Sequence, residues 1–150
     1  DLRLLIEDGA RTIVGLLGSF GVGAVEVGER AAVAHANVGR AAIAGGGLAI
    51  EPVEVTVGGR LLRFAPETVP ENTPVAPLDA LQAAMRRSEA ALAERLAPER
   101  DVVFLDGPLS YVTQANGPLV GFVKRLLQAY LEPEPASLLR RLEVGELSGR

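Results

Sequence analysis

The feature that most constrains the fold is a run of four apolar residues that ends in an aspartate. Residues 102–105 are Val-Val-Phe-Leu, and Asp106, Gly107 and Pro108 follow. A continuous apolar run bounded by turn residues predicts a strand that is covered on both faces. A carboxylate at the end of such a strand is costly unless a metal ion or backbone N–H groups hold its charge. Ligands bind at the carboxyl ends of strands in open α/β sheets, so Asp106 is a candidate site residue.

The composition limits what could hold that charge. The 150 residues, 48% apolar and 23% charged, are typical of one folded domain. There is no cysteine, which excludes disulfides and thiolate metal sites. Because His35 is the single histidine, carboxylates would have to hold any metal, and they suit Mg²⁺ or Mn²⁺. The net charge of -4 argues against bulk electrostatic binding of nucleic acid, but a local basic groove or a metal-mediated contact is compatible with it.

The sequence also bears on where the protein acts. No segment reaches the roughly 18 apolar residues that a membrane-spanning helix needs. No signal peptide is visible. We therefore expect a cytoplasmic protein without a membrane partner. The chain begins at Asp1 rather than at a methionine and ends at Arg150, so we expect it to be a single domain cut from a longer protein.

The first half of the chain predicts an antiparallel meander. Residues 2–6 form a short apolar run that ends in Glu7, Asp8 and Gly9, which repeats the strand–aspartate–glycine pattern of residues 102–107. Segments rich in Val, Ile, Ala and Gly then alternate with turn signals. The strands predicted from these segments are residues 12–17, 22–27, 31–43, 53–57 and 60–64. Gly58-Gly59 predicts a two-residue hairpin turn between the last two.

The second half predicts helices. Residues 66–77 contain four prolines and predict a linker, after which residues 78–97 predict a helix that Pro98 ends. At helical spacing, five large apolar side chains form one narrow stripe. These are Leu78, Leu81, Met85, Leu92 and Leu96. Glu89 lies within that stripe. It is either a metal ligand or an inward glutamate paired with an arginine such as Arg86.

Beyond the Asp106 strand, a polar loop over residues 110–117 predicts a connection to further helices. Pro118 and the apolar spacing after it predict a second amphipathic helix over residues 119–131. Residues 136–142 predict one more short helix. Three antiparallel strands, a helix and then a strand that pairs alongside the first are the opening order of a ribonuclease H-like fold, an α/β architecture with a mixed sheet.

That order would bring three carboxylates together. The first strand would end at Asp8 beside Asp106, and the helix that packs across them would supply Glu89. Three crowded carboxylates repel one another, and divalent cations relieve the repulsion. Two such ions about 3.5–4 Å apart would activate a water for phosphodiester cleavage. The alternative for each aspartate is an ordinary turn residue.

Two motifs carry a resemblance to a known family. Residues 105–109 are Leu-Asp-Gly-Pro-Leu, and residues 117–124 are Gly-Pro-Leu-Val-Gly-Phe-Val-Lys. Together they resemble the NurA nuclease domain family. The resemblance implies a ribonuclease H-like fold, Mn²⁺-dependent DNA nuclease activity, and partnership with the HerA hexameric ATPase in DNA end processing and repair. It matches Asp8 to the aspartate of the family's first strand and Glu89 to its helix glutamate.

Other residues are matched less directly. The family has a further metal-site histidine near its C-terminus, and His35 is not assigned that role because it lies in the meander. Lys124 is a candidate phosphate contact on DNA, with a solvated helix charge as the alternative.

A second hypothesis is a non-catalytic interaction domain that docks a motor ATPase or forms a homodimer. A small-molecule enzyme has no support, because the sequence has no dinucleotide or phosphate-loop fingerprint and no cysteine nucleophile.

Overall fold

The computed structural model describes residues 1–28 and 32–122, with no side-chain description at 32 and 33. The predicted mixed α/β class is confirmed. The strands are β1 (Leu2–Asp8), β2 (Arg11–Val27), β3 (Ala32–Ala44), β4 (Val53–Val57), β5 (Arg60–Thr68), β6 (Val103–Asp106) and β7 (Leu119–Phe122), and the helix is α1 (Ala76–Leu96). Short 3₁₀ turns follow α1 and β6, at Ala97–Glu99 and Leu109–Tyr111. In this part of the chain, no helix is both long and apolar enough to cross a membrane.

Strands β1, β2 and β3 form the predicted antiparallel meander. The division of β2 into two strands, at 12–17 and 22–27, is wrong. Its pairing with β3 runs unbroken from Gly15 opposite Ala44 to Val27 opposite Ala32. Gly18 and Gly21, which lie between the two predicted segments, have no positive φ and stay in the extended strand. The result is one long two-stranded ribbon.

The sheet is completed by β5 and β4. β4 and β5 form an antiparallel pair, but β5 pairs in parallel with β3, so the prediction that the antiparallel meander continues through residues 53–64 is wrong. The strand order is β1-β2-β3-β5-β4. The predicted turn at Gly58-Gly59 is confirmed, with φ values of 56° and 76°. The linker begins later than predicted, because Pro66 to Thr68 continue β5 beside β3. A proline is tolerated in a strand where its missing N–H is not needed for the ladder.

Helix α1 covers one face of this sheet. Its bounds lie within two residues of the prediction, and Leu81 and Leu92 of the apolar stripe are buried. Leu81 packs in a cluster with Leu16 of β2 and Ile43 of β3. The helix approaches β2 closely at Gly18, where a Cβ atom would lie 2.4 Å from Leu81 Cδ2. Burying a leucine side chain stabilises the fold by about 1.5–3 kcal/mol, which is why this contact fixes the helix on the sheet.

A second, two-stranded sheet consists of β6 and β7 in parallel. The prediction of a helix beginning at residue 119 is therefore wrong for residues 119–122. Their side chains alternate between half-buried and exposed, the period of a strand, and Val103 N–H and Gly107 N–H donate to Pro118 and Phe122. A proline at this position is typical of a helix start, but Pro118 precedes a strand. The remainder of that helix and the one over residues 136–142 lie outside the described residues.

The position of the Asp106 strand also differs from expectation. Among the described strands, β6 pairs with β7, whereas β1 is the edge of the other sheet and pairs with β2. The expected pairing of the first strand with the Asp106 strand is thus not found in this part of the chain. The prediction that this strand is covered on both faces is wrong, because Phe104 is 71% exposed and Asp106 is exposed. The four-residue apolar run alternates in burial like a half-exposed strand.

Candidate carboxylate–arginine site

Glu89 lies on α1 at the position that the apolar stripe predicts. Its side chain is 24% exposed, and the Arg86 guanidinium, one helical turn earlier, donates from Nη1 to Glu89 Oε2 at 2.7 Å. Residues three apart on a helix are neighbours, so this ion pair forms within the element itself. The pairing is the alternative foreseen for Glu89, and its carboxylate is neutralised by Arg86 where the helix faces β6.

The same nitrogen joins the helix to the end of β6. Arg86 Nη1 also donates to the main-chain oxygen of Asp106, at 2.9 Å. The strand ends there because Gly107 adopts φ 126°, a conformation that side chains disfavour. A Cβ at Gly107 would lie 3.5 Å from Arg86 Nη1, so the guanidinium rests against the turn itself. The structure therefore brings Glu89 and the main chain of Asp106 together through one arginine.

Asp8 is placed differently. Its Oδ2 accepts from Arg11 Nη2 at 2.6 Å, across the hairpin that joins β1 to β2. Leu16 and Leu81 share one cluster, so the face of β2 that carries Leu16 is the face covered by α1. Leu16 lies opposite Arg3, and side chains alternate between faces along a strand. Asp8, five residues after Arg3, therefore lies on the face away from α1.

This placement bears on the predicted metal site. Among residues 1–28 and 32–122, no group of three or more acidic or histidine side chains is arranged to hold a metal ion. Asp8, Glu89 and Asp106, as placed, do not fit a shared Mn²⁺ or Mg²⁺ site. Glu89 and the main chain of Asp106 share the Arg86 guanidinium, and Asp8 does not join them. Their metal and catalytic roles stay predictions, and Lys124 lies outside the described residues.

An open groove lies beside Arg86. Its volume is about 540 Å³. The residues that line it come from α1 and the 3₁₀ turn after β6, and they are Asp79, Gln82, Ala83, Met85, Arg86 and Tyr111. Sequence reasoning assigned Tyr111 only to a polar loop. An aromatic residue in a loop after a strand-end aspartate was the available signal, because such side chains provide a face for stacking.

Glu94 is a second residue whose position the sequence did not reveal. Its Oε1 accepts from the main-chain N–H groups of Thr113 and Gln114, the latter at 2.8 Å, so α1 anchors the loop that leads to β7. The hydrogen bond from Gln114 N–H, followed by that from Thr113 N–H, lowers the pKa of Glu94 below its ordinary value. The helix period alone predicts that Glu94 lies on the solvent side.

His35 lies apart from these groups. Its Nε2 atom is buried and has no hydrogen-bond partner within the described part of the chain. The His35 residue lines a cavity of about 590 Å³, which lies between the β2–β3 ribbon and the segment before β6. Arg100 Nη2 and Glu26 Oε2, 2.8 Å apart, form an ion pair across that cavity.

Comparisons with known proteins add no relative: no family model, no curated protein and no solved structure matches the chain. The class that the described residues define is an α/β domain with a five-stranded sheet, one covering helix and a parallel strand pair.

Proposed function

We propose that the chain is a metal-dependent DNA nuclease domain of the NurA type, with a ribonuclease H-like fold. The observation that carries the proposal is the meeting of Glu89 and the carboxyl end of β6 at Arg86, beside an open groove. Ligands bind at the carboxyl ends of parallel strands, and β6 and β7 are parallel. The antiparallel meander, the helix that packs on it and the strand pair after the helix support the ribonuclease H-like part of the proposal.

In this proposal Glu89 and Asp106 are the acidic residues of the site. Asp8 belongs to the proposal only through the resemblance, because its described position is on the face of the sheet away from α1. A divalent ion, Mn²⁺ or Mg²⁺, would supply charge neutralisation and an activated water when bound. No step is assigned to it, because the described carboxylates do not form one ligand group. What the residues themselves provide is a half-buried carboxylate on a helix and a strand end held at a fixed position by Arg86.

The proposed partners follow from the same assignment. The substrate is DNA, with Lys124 as a phosphate contact, and the process is DNA end processing and repair with a HerA-type hexameric ATPase. A chain with a net charge of -4 repels the DNA backbone at long range. DNA binding would therefore depend on local cations, and we expect it to weaken steeply as salt rises.

The test is cleavage of labelled single- and double-stranded oligonucleotides in Mn²⁺. We expect Asp106→Ala to lower the cleavage rate about 100-fold or more, since removing even an outer-shell partner of a metal ligand costs about 10–100-fold. Asp101→Ala is the matched control, because this exposed aspartate precedes the same strand and its loss changes the charge equally. Unchanged cleavage by Asp106→Ala would contradict the proposal.

A non-catalytic interaction domain is the second candidate. The observation that favours it is the edge strand β1, where Leu2 is 59% exposed and Leu5 is 73% exposed. An exposed apolar edge strand is a template for pairing with another chain. Such a domain would use β1 to form a homodimer or to dock a motor ATPase.

A further inference from the structure

We propose that the groove beside Arg86 holds an unpaired base of a single-stranded DNA substrate, with the Tyr111 ring as the face on which that base stacks. The inference rests on the proposed nuclease function and deepens it, because it assigns the kind of strand that the site takes. It involves no bound metal ion. Tyr111 is a binding residue in this inference, and no step of a reaction is assigned to it.

The first argument is the position of the groove. Its lining comes from α1 and from the 3₁₀ turn Leu109–Tyr111, which follows soon after β6 ends at Asp106. The volume of about 540 Å³ is within the range of small-ligand sites, about 300–1,000 Å³. In the described part of the chain Tyr111 is 38% exposed, so a ligand can reach it. A base that enters the groove would therefore lie near the carboxyl end of β6.

The second argument is the chemistry of the lining, which suits a flat neutral ring better than a phosphate. Asp79 and Arg86 carry opposite charges, so the described lining has no net charge that would attract an anion. Aromatic rings and guanidinium planes are the groups on which unpaired bases stack, and Tyr111 and Arg86 supply one of each. The amide of Gln82 both donates and accepts, as the edge of a base requires.

The third argument is that the chain around Tyr111 is held on both sides. Before the turn, Arg86 Nη1 donates to the main-chain oxygen of Asp106 at 2.9 Å. After the turn, Glu94 Oε1 accepts from the N–H group of Gln114 at 2.8 Å. Both anchors come from α1, so the helix fixes the main chain that carries the tyrosine. A side chain on a fixed backbone loses less freedom when a ligand binds, which favours stacking at this ring.

The experiment measures DNA binding by fluorescence anisotropy in excess chelator, so that no metal ion takes part. We expect a labelled single strand to bind more tightly than a blunt duplex of the same length, because paired bases cannot enter the groove. Tyr111→Ala should weaken single-strand binding about 10-fold, the usual effect of one lost base–aromatic contact. Tyr111→Phe keeps the ring and should bind like the wild type. Phe104→Ala is the control, because it removes an exposed aromatic ring that lines a different cavity.

Two further conditions separate stacking from electrostatic attraction. An abasic strand of the same length retains every phosphate, so Tyr111→Ala should bind it as the wild type does. The loss caused by Tyr111→Ala on the ordinary strand should be equal at about 50 and about 200 mM salt, because stacking releases no counterions. If Tyr111→Ala bound the ordinary strand as the wild type does, or lost as much on the abasic strand, the inference would be overturned and the nuclease proposal would stand.

A measurement on the wild type covers the case in which Tyr111→Ala does not fold. A single strand that contains 5-iodouracil forms a photo-crosslink with an aromatic side chain stacked on the modified base. Mass spectrometry of the digested complex should place this crosslink at Tyr111, and a crosslink found only at other residues would overturn the inference. A wild type that binds neither the single strand nor the duplex would contradict both the inference and the DNA substrate of the nuclease proposal.

Discussion

At the residue scale, two glutamates of α1 differ in whether the sequence predicts the group that each one contacts. Glu89 and Glu94 lie five positions apart on α1, and each carboxylate accepts hydrogen bonds from a different kind of group. Glu89 faces Arg86, and Glu94 faces the N–H groups of the loop before β7. The helix period predicted the inward position of Glu89. It could not predict Glu94, because the loop that Glu94 anchors arrives from about 20 residues away.

The lowered pKa of Glu94 gives a prediction about acid stability. A carboxyl group whose folded pKa lies below its unfolded value, about 4.3, stabilises the fold above that value. The stabilisation is lost as the pH falls through the lowered pKa. We expect the melting temperature of Glu94→Gln to be below that of the wild type at pH 7 and to converge with it at lower pH. Glu51→Gln, at an exposed glutamate, is the charge-matched control. A gap of constant size across the pH range would contradict this account.

At the element scale, the sequence predicted what depends on local pattern. The helix and the Gly58-Gly59 turn follow from periodicity and turn chemistry and are confirmed, whereas the antiparallel meander is confirmed only from β1 to β3. Two predicted strands form one strand, β2, because both pair with β3. Local sequence patterns carry no information about such a partner strand. β7 is the clearest case, because Leu119 and Phe122 fit a helical stripe as well as a strand, and the pairing with β6 decides between them.

The contact of α1 with β2 gives a prediction at this scale. A methyl group added at Gly18 would meet Leu81, which is 6% exposed and has little room to move. We expect Gly18→Ala to lower the free energy of unfolding by about 1–3 kcal/mol, the usual cost of overpacking. Chemical denaturation measures it. Gly21→Ala is the control, because the nearest atom to its Cβ would be 4.0 Å away.

The double variant separates overpacking from any other effect of the alanine. Leu81→Ala by itself should cost about 2–5 kcal/mol through the cavity it leaves. In Gly18→Ala/Leu81→Ala the new methyl group has room, so the two costs should be less than additive. Additive costs would mean that Gly18 is required for a reason other than the approach of Leu81.

At the scale of the whole molecule, the candidate site could be predicted in part. Glu89 and the main-chain oxygen of Asp106 meet at Arg86, through a helix stripe and a strand end. Asp8 does not join them, because the register between β1 and β2 places the Asp8 side chain on the face of the sheet away from α1. A shift of one residue reverses every side chain of a strand. No local signal in residues 2–9 predicts which of the adjacent side chains, Glu7 or Asp8, lies on the face of the sheet that α1 covers.

The edge of the five-stranded sheet gives the last prediction. The sheet ends at β1 on one side and at β4 on the other, with Leu5 73% exposed and Val57 57% exposed. If β1 pairs with a second copy of the chain, a two-fold dimer buries Leu5 twice. At about 1.5–3 kcal/mol for each leucine, losing both contacts should weaken the dimer by about 100-fold or more. A lysine at this position would also disfavour edge pairing.

Light scattering coupled to size-exclusion chromatography, at several protein concentrations, measures this dimer. We expect the wild type to shift from monomer to dimer as concentration rises and Leu5→Lys to remain monomeric over the same range. Val57→Lys places the same charge on the opposite edge and should still dimerise. Dissociation by Val57→Lys rather than by Leu5→Lys would assign the interface to β4. A wild type that is monomeric at every concentration would refute pairing through β1 and leave docking to another protein as the remaining use of that edge.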